Sequence, residues 1–337
     1  MKELKILAVV VFFTLVTYWG VEPFAHSKMH KHVEGHNFVY DGTADVEEVE
    51  EKIATAKEEK QPTEALEKKL ADKKAFWASV KKIAALKGDA KAGEATFGMC
   101  LGCHNGSGVN MGGVIPPSLD HAGSLYDKNY LIALVKDPAM ASNVDHKYAD
   151  TMTHPMGSIK TMVTTDQDIA NVVAYLLKNK AGEVTPKEAY VEACGRCHAN
   201  RYAKWYQPGF QPKTKSNIKT GQDIDLLKFK QKVATEQEAV ANYMGKLPPD
   251  LSIIIRARSE HFLSTFVENP QSQLAGTAMP RTGLTKEGYE KVVEFLSETG
   301  DPSAKARAEL GPKVIIYFII FTILAVLWKK SVWSKLH

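Results

Sequence analysis

Cysteine is scarce in this 337-residue sequence, and none of its four cysteines lies outside two short motifs. Each motif reads Cys-x-x-Cys-His, with Cys100, Cys103 and His104 in the first and Cys194, Cys197 and His198 in the second. No thiol is therefore left over for a disulfide. The two cysteine pairs are too far apart for a zinc ribbon, and a thioredoxin-like redox pair would sit in a βαβ context and would not occur twice.

The spacing inside each motif predicts a covalently bound c-type haem. On one helical turn, two thiols three residues apart reach the same face and can form thioethers with the two vinyl groups of a haem. The residue that follows, His104 or His198, is then placed beneath the porphyrin plane as the proximal iron ligand. The sequence thus predicts two covalently bound c-type haems in one chain.

Long apolar runs are concentrated at the two ends of the chain. The first covers residues 6–21 and the second residues 314–328. Both are shorter than the roughly 20 residues that a membrane span requires, so each must use neighbouring residues and snorkelling lysines. The first run could instead be a cleaved secretion signal, but no small-x-small cleavage site follows it. We expect two anchors, in residues 1–25 and 310–337.

Lysines flanking these runs indicate the orientation of the chain. Lys2 and Lys5 precede the first run, and Lys329, Lys330 and Lys335 follow the second. By the positive-inside rule both termini are expected to be cytoplasmic. In a bacterial inner membrane, the residues between the two runs would then lie in the periplasm. Because several lysines flank membrane lipid, the net charge of +4 does not indicate a nucleic-acid partner.

Residues 26–86 are expected to form a linker and a charged helical hairpin. His26, His30, His32 and His36 begin this segment; metal binding is one interpretation, and interfacial or partner contacts are the favoured one. Residues 45–86 are rich in Glu, Lys and Ala, with a break at residues 61–63. We interpret the charges as a solvated face.

Residues 87–182 and 183–309, called here the first and second motif segments, form an internal repeat. Each reads as a helix, the Cys-x-x-Cys-His motif, Pro-Pro-x-Leu, a methionine and a closing helix, and the second adds an insertion at 201–246. We predict that the first proline of each Pro-Pro-x-Leu, Pro116 or Pro248, is a haem-binding residue. Thr165, Thr185 and Thr285 are predicted helix N-caps. The fold class is therefore mainly α, with two tandem cytochrome c-type haem domains between terminal transmembrane helices.

Methionine is the predicted sixth iron ligand. Its thioether raises the reduction potential of the iron, which suits an electron carrier high in a respiratory chain. Met279 in the second segment and Met156 in the first have suitable positions before the closing helices. Several other residues remain open as ligands: Met244 in the second segment, and Met152, Met162, His121, His146 and His154 in the first.

The second segment resembles the cytochrome c1 family. The resemblance rests on residues 245–252, which contain Pro-Pro-Asp-Leu-Ser, on the following Arg-Ala-Arg at 256–258, on residues 197–202 after the second motif, and on the tail from Ala306 to Ser334. It covers residues 185–337, nearly half of the chain. By resemblance, Arg256 or Arg258 is expected to approach a haem propionate.

An additional haem domain and an amino-terminal anchor distinguish this chain from cytochrome c1, so it resembles the dihaem cytochrome subunit of some bacterial bc1 complexes. That resemblance implies cytochrome b and Rieske iron–sulfur partners, a soluble cytochrome c or terminal oxidase as acceptor, and a dimeric complex. The chain is expected to have no independent catalytic site. The alternatives are a dihaem subunit of a cbb3-type oxidase and a dihaem cytochrome c peroxidase.

Overall fold

The computed structural model describes residues 2–29, 33–105, 114–148, 150–179, 183–213 and 223–334. His30, His32, Lys335 and the predicted segment boundary at residue 182 lie outside these ranges. The fold is mainly helical, as the sequence predicted, and the two motif segments lie between two terminal apolar helices.

Helices at both ends of the chain are long and apolar enough to cross a membrane. At the amino end, α1 (Lys2–Val16), a π-helical turn (Thr17–Val21) and α2 (Glu22–Met29) are continuous, and Glu3–Ala25 is the apolar part. At the carboxyl end, α17 spans Ala304–Trp333. The apolar residues of both helices contact no core, which is compatible with membrane anchoring.

The predicted helical hairpin is confirmed. Its helices are α3 (Thr43–Glu58) and α4 (Glu64–Ala84), on either side of the predicted break. The interpretation of its charges as a solvated face is wrong for Asp45 and Lys73, which are both 1% exposed. These two side chains are buried because they form ion pairs with each other and with residues elsewhere in the chain.

In the residues that the structure describes, the first motif segment has six helices and one 3₁₀ turn. They are α5 (Ala90–Cys100), α6 (Ala122–Leu125), α7 (Lys128–Lys136), α8 (Pro138–Ala141), the 3₁₀ turn Thr151–Thr153, α9 (Ile159–Met162) and α10 (Asp166–Lys178). The Thr165 hydroxyl caps α10 as predicted, by accepting from the Asp168 N–H. Helices α5 and α10 cross at Gly93, where a Cβ would lie 2.0 Å from the Asn171 carbonyl oxygen. Helix α5, which ends at Cys100, is thereby packed against the closing helix.

The second motif segment has the same opening and closing helices around a longer middle. Its elements are α11 (Pro186–Ala193), β1 (Trp205–Tyr206), β2 (Gly209–Phe210), α12 (Ile224–Met244), α13 (Ile254–Ala257), α14 (Glu260–Glu268), α15 (Pro270–Gln273) and α16 (Lys286–Gly300). The strands pair antiparallel. The predicted capping box at Thr185 and the cap at Thr285 are confirmed. Tyr190 of α11 packs on Phe295 of α16, with ring centroids 4.8 Å apart.

A single hydrophobic core joins the hairpin and both motif segments. Trp77 of the hairpin, Leu131 of the first segment and Leu284 of the second are among its buried residues. Backbone hydrogen bonds connect the segments directly: Asp127 N–H donates to the Gly283 carbonyl at 2.9 Å, and Thr285 N–H donates to the Leu125 carbonyl at 2.8 Å. The two haem motifs are therefore held in one packed unit.

The insertion in the second segment also reaches the first. Near the end of α12, the Tyr243 hydroxyl lies 2.7 Å from the Tyr148 hydroxyl, and Lys147 Nζ lies 4.3 Å from the Tyr243 ring centroid. Tyr148 is part of a small apolar cluster with Ala139 and Val144. The insertion thus packs beside the loop that carries Met156.

Candidate haem-binding sites

Both Cys-x-x-Cys-His motifs adopt the same helical turn. In the first, the N–H groups of Cys103 and His104 donate to the Cys100 carbonyl at 3.1 and 2.9 Å. In the second, the corresponding groups donate to the Cys194 carbonyl, again at 3.1 and 2.9 Å. All four thiols are free, as thioether formation with a haem requires.

The two motif histidines are oriented by the same hydrogen bond. Nδ1 of His104 lies 2.8 Å from the Pro117 carbonyl oxygen, and Nδ1 of His198 lies 2.8 Å from the Pro249 carbonyl oxygen. A carbonyl can only accept, so Nδ1 carries the proton and the neutral ring has its lone pair on Nε2. This arrangement presents Nε2 for an iron ligand bond and fixes the ring orientation.

These acceptors are the second prolines of the repeated Pro-Pro-x-Leu. The first prolines, Pro116 and Pro248, were the predicted haem-binding residues, whereas the histidines contact Pro117 and Pro249. The signal was present, because the dipeptide follows both motifs despite very different intervening lengths. The sequence alone does not indicate which backbone carbonyl of the dipeptide faces the imidazole.

Burial favours the neutral form of both histidines. It lowers the pKa of His198 and of His104, and the proline carbonyls oppose this effect. In the second motif, burial also raises the pKa of the Cys194 thiol to about 12. A neutral imidazole is the form that ligates iron, so the residues of both motifs fit a c-type haem.

The predicted sixth ligands lie in loops before the closing helices. Met156 is mostly buried, whereas Met152 and Met162 are exposed, each at 50%. Met279 is also mostly buried, in the loop between α15 and α16. Met244 ends α12. The assignment of Met156 and Met279 to iron stays a prediction.

Two of the alternative histidine ligands are engaged in other contacts. The Met156 N–H donates to His154 Nδ1 at 3.1 Å, which leaves the proton of the neutral ring on Nε2. Burial lowers the pKa of His154 to about 4, so the ring is neutral near pH 7. His121 Nδ1 pairs with the Glu192 carboxylate of α11, in a contact between the two motif segments.

The predicted propionate-binding arginines both point into solvent. Arg256 and Arg258 are exposed, and the Arg258 guanidinium lies 5.1 Å from the centroid of the Phe262 ring. Their role toward a propionate stays a prediction. Arg196, inside the second motif, donates from Nε to the Glu192 carbonyl at 3.2 Å and was not singled out from the sequence.

Comparisons with known proteins agree with this chemistry. Residues 90–180 match the cytochrome c family, and residues 281–336 match the cytochrome C1 family. The chain is also 26% identical over 194 residues to the ammonia monooxygenase gamma subunit of Nitrosomonas europaea, an alignment covering 44% of this chain and 81% of that protein. No solved structure matches. The two family matches support a c-type cytochrome, which acts in electron transfer and holds covalently bound haem.

Proposed function

We propose that this chain is the dihaem cytochrome subunit of a bc1-type quinol:cytochrome c oxidoreductase. It accepts electrons from the Rieske iron–sulfur protein and passes them, through two haems, to a cytochrome c or a terminal oxidase. The observation that carries the proposal is the duplicated pairing of a motif histidine with a proline carbonyl, 2.8 Å in both copies.

The second haem rests on this duplication. The cytochrome c match contains the first motif, whereas the second motif lies in the stretch between the two family matches. The same helical turn, the same proline acceptor and the same protonated Nδ1 recur there. Two sites built alike from separate stretches of sequence support two haems of the same kind.

Thiols, histidines and methionines of this chain would hold each haem. Bound haem supplies one-electron exchange between ferrous and ferric iron. The thiols of Cys100, Cys103, Cys194 and Cys197 would anchor it, and the histidines of the two motifs would ligate its iron through Nε2. Met156 and Met279 would provide thioethers that raise the potential. The hydrogen bond from Met156 N–H to His154 Nδ1 favours the methionine over that histidine in the first segment.

Assignment to a bc1-type complex is supported by the carboxyl-terminal part of the chain. The cytochrome C1 match covers α16 and α17 and so includes the second candidate membrane span. We propose that both termini are cytoplasmic, that the motif segments are periplasmic, and that cytochrome b and the Rieske protein are partners in a dimeric complex. Lysines at the membrane-facing ends support this orientation.

Purification of the native protein from membranes in mild detergent tests the proposal. Co-purification of cytochrome b and a Rieske protein is expected. A copper–haem oxidase subunit in their place would contradict it. The name of the Nitrosomonas relative favours a second candidate, an electron-transfer subunit that works with a monooxygenase. Co-purification of monooxygenase subunits without cytochrome b would support that candidate instead.

A further inference from the structure

We propose that Asp45 and Arg281 form a buried ion pair that positions Met279 for the second haem, so that the hairpin α3–α4 controls the ligation of a haem in another segment. Asp45 and Arg281 act here as positioning residues. The inference rests on the proposed function, in which Met279 is the sixth ligand of the second haem. We call residues 276–284, between α15 and α16, the Met279 loop.

Arg281 connects this loop to the hairpin. It follows Met279 by two residues and is 3% exposed. Its guanidinium forms a two-point contact with Asp45 in the first turn of α3: Nη2 pairs with Oδ1, and Nη1 donates to Oδ2 at 3.3 Å. A forked contact of this kind fixes direction as well as distance, so the loop backbone near Met279 is oriented relative to α3.

Helix α4 holds the carboxylate from its other side. Trp77 Nε1 donates to Asp45 Oδ2 at 2.7 Å, and Lys73 Nζ lies 3.7 Å from the same oxygen. Lys73 Nζ also donates to Asn143 Oδ1 of the first motif segment at 2.8 Å. Burial acts to raise the pKa of Asp45, but Arg281 and Lys73 outweigh it and hold the pKa below its ordinary value. The pair is therefore charged on both sides near pH 7.

Backbone contacts of the loop come from outside the second segment as well. The Arg281 N–H donates to the Ser142 carbonyl at 2.8 Å, and the Tyr130 hydroxyl donates to the Arg281 carbonyl at 3.0 Å. The Tyr40 hydroxyl, just before the hairpin, donates to the Leu284 carbonyl at 3.1 Å. The first motif segment and the hairpin thus hold the loop that carries Met279.

This arrangement has a consequence for the iron ligand. A group that orients a metal ligand through hydrogen bonds or packing tunes the metal even though it does not touch it. When Arg281 is no longer paired with Asp45, the Met279 loop loses the contact that orients it. The Met279 thioether would then ligate the iron in a smaller fraction of the molecules. A pair that merely docks the hairpin would change stability and leave iron ligation unchanged.

Three variants of the full-length protein, purified in detergent, test the positioning role. Asp45→Asn removes the charge, and Trp77→Phe removes the 2.7 Å hydrogen bond and shrinks the buried ring while keeping it aromatic. Glu50→Gln is the matched control, since it removes a carboxylate from the same hairpin where Glu50 pairs with Lys74 at 2.8 Å and both side chains are about half exposed. The band assigned to the second haem is the near-infrared sulfur-to-iron band that Met279→Leu abolishes.

In Asp45→Asn we expect loss of most of that band, a more negative midpoint potential for the second haem, and carbon monoxide binding to its ferrous form. Trp77→Phe should show the same changes to a smaller degree. The first haem's band should persist in both variants and report that the chain is folded, and Glu50→Gln should match the wild type.

Unchanged ligation of the second haem in folded Asp45→Asn overturns the inference. If Asp45→Asn does not fold, an unchanged band in Trp77→Phe overturns it as well. Failure of the proposed function looks different, because the wild type itself would then carry one haem per chain, or Met279→Leu would leave every band in place.

Discussion

The packing between the two motif segments predicts a specific cost for placing a methyl group at Gly283. Its φ is +72°, and a Cβ there would lie 1.9 Å from Tyr130 Cδ1. The Tyr130 ring cannot easily move away, because it is 5% exposed and its hydroxyl donates to the Arg281 carbonyl at 3.0 Å. Left-handed backbone costs a non-glycine residue about 1–2 kcal/mol, and overpacking adds about 1–3 kcal/mol. Gly283→Ala should therefore destabilise the fold by about 2–5 kcal/mol.

Gly276 in the same loop provides a matched control. Its φ is +78°, yet no atom lies within 4 Å of the place where its Cβ would be. Gly276→Ala should cost only the backbone contribution, about 1–2 kcal/mol. The two variants should differ by roughly 2–12 °C in apparent Tm, at about 2–4 °C per kcal/mol. Circular dichroism of the purified protein during heating measures this difference. Equal unfolding temperatures would refute the close contact between the segments.

Three further predictions concern the haem ligands, the contact between the segments and the order of electron flow. Met156→Leu and Met279→Leu should each abolish the near-infrared band of one haem and lower its potential; no change in Met156→Leu would point to another ligand in the first segment. Burial acts to lower the pKa of His121, but the Glu192 carboxylate outweighs burial and raises this pKa above its ordinary 6.5. The contribution of the His121–Glu192 pair to folding stability is therefore complete below pH 6.5 and is lost as the pH rises through the raised pKa. Between about pH 6 and about pH 9, wild-type Tm should therefore fall further than that of His121→Asn, and parallel curves would contradict this. In a variant lacking both thiols of the first motif, rapid mixing with quinol should show prompt reduction of the second haem and lost transfer to the acceptor; unimpaired transfer would place the first haem off the path.

Local signals in the sequence were sufficient for the helices that frame each site. Thr185 followed by Pro186 and Glu188 specifies a capping box through contacts within three residues, and the structure forms it. The break between the two hairpin helices, predicted at residues 61–63, is equally local. Such features depend on neighbouring side chains, so one sequence is enough to predict them.

Contacts between distant residues could not be predicted in this way. Asp45 and Arg281 are 236 positions apart, and Asp45 stands in a charge-rich stretch that has the composition of a solvated helix face. Only the fold reveals that α3 turns this carboxylate toward the Met279 loop. The helix in the insertion, Ile224–Met244, was also missed, and its contact with Tyr148 depends on how the two segments pack.

Haem stoichiometry tests the central claim most directly. Pyridine haemochrome quantitation against protein mass should give two covalent haems per chain, because both motifs present the same turn and the same histidine–proline hydrogen bond. Replacing Cys100 and Cys103 with serine should remove one haem and leave the spectrum of the other. A value of one haem per wild-type chain, or a second haem that acid acetone extracts, would contradict the account.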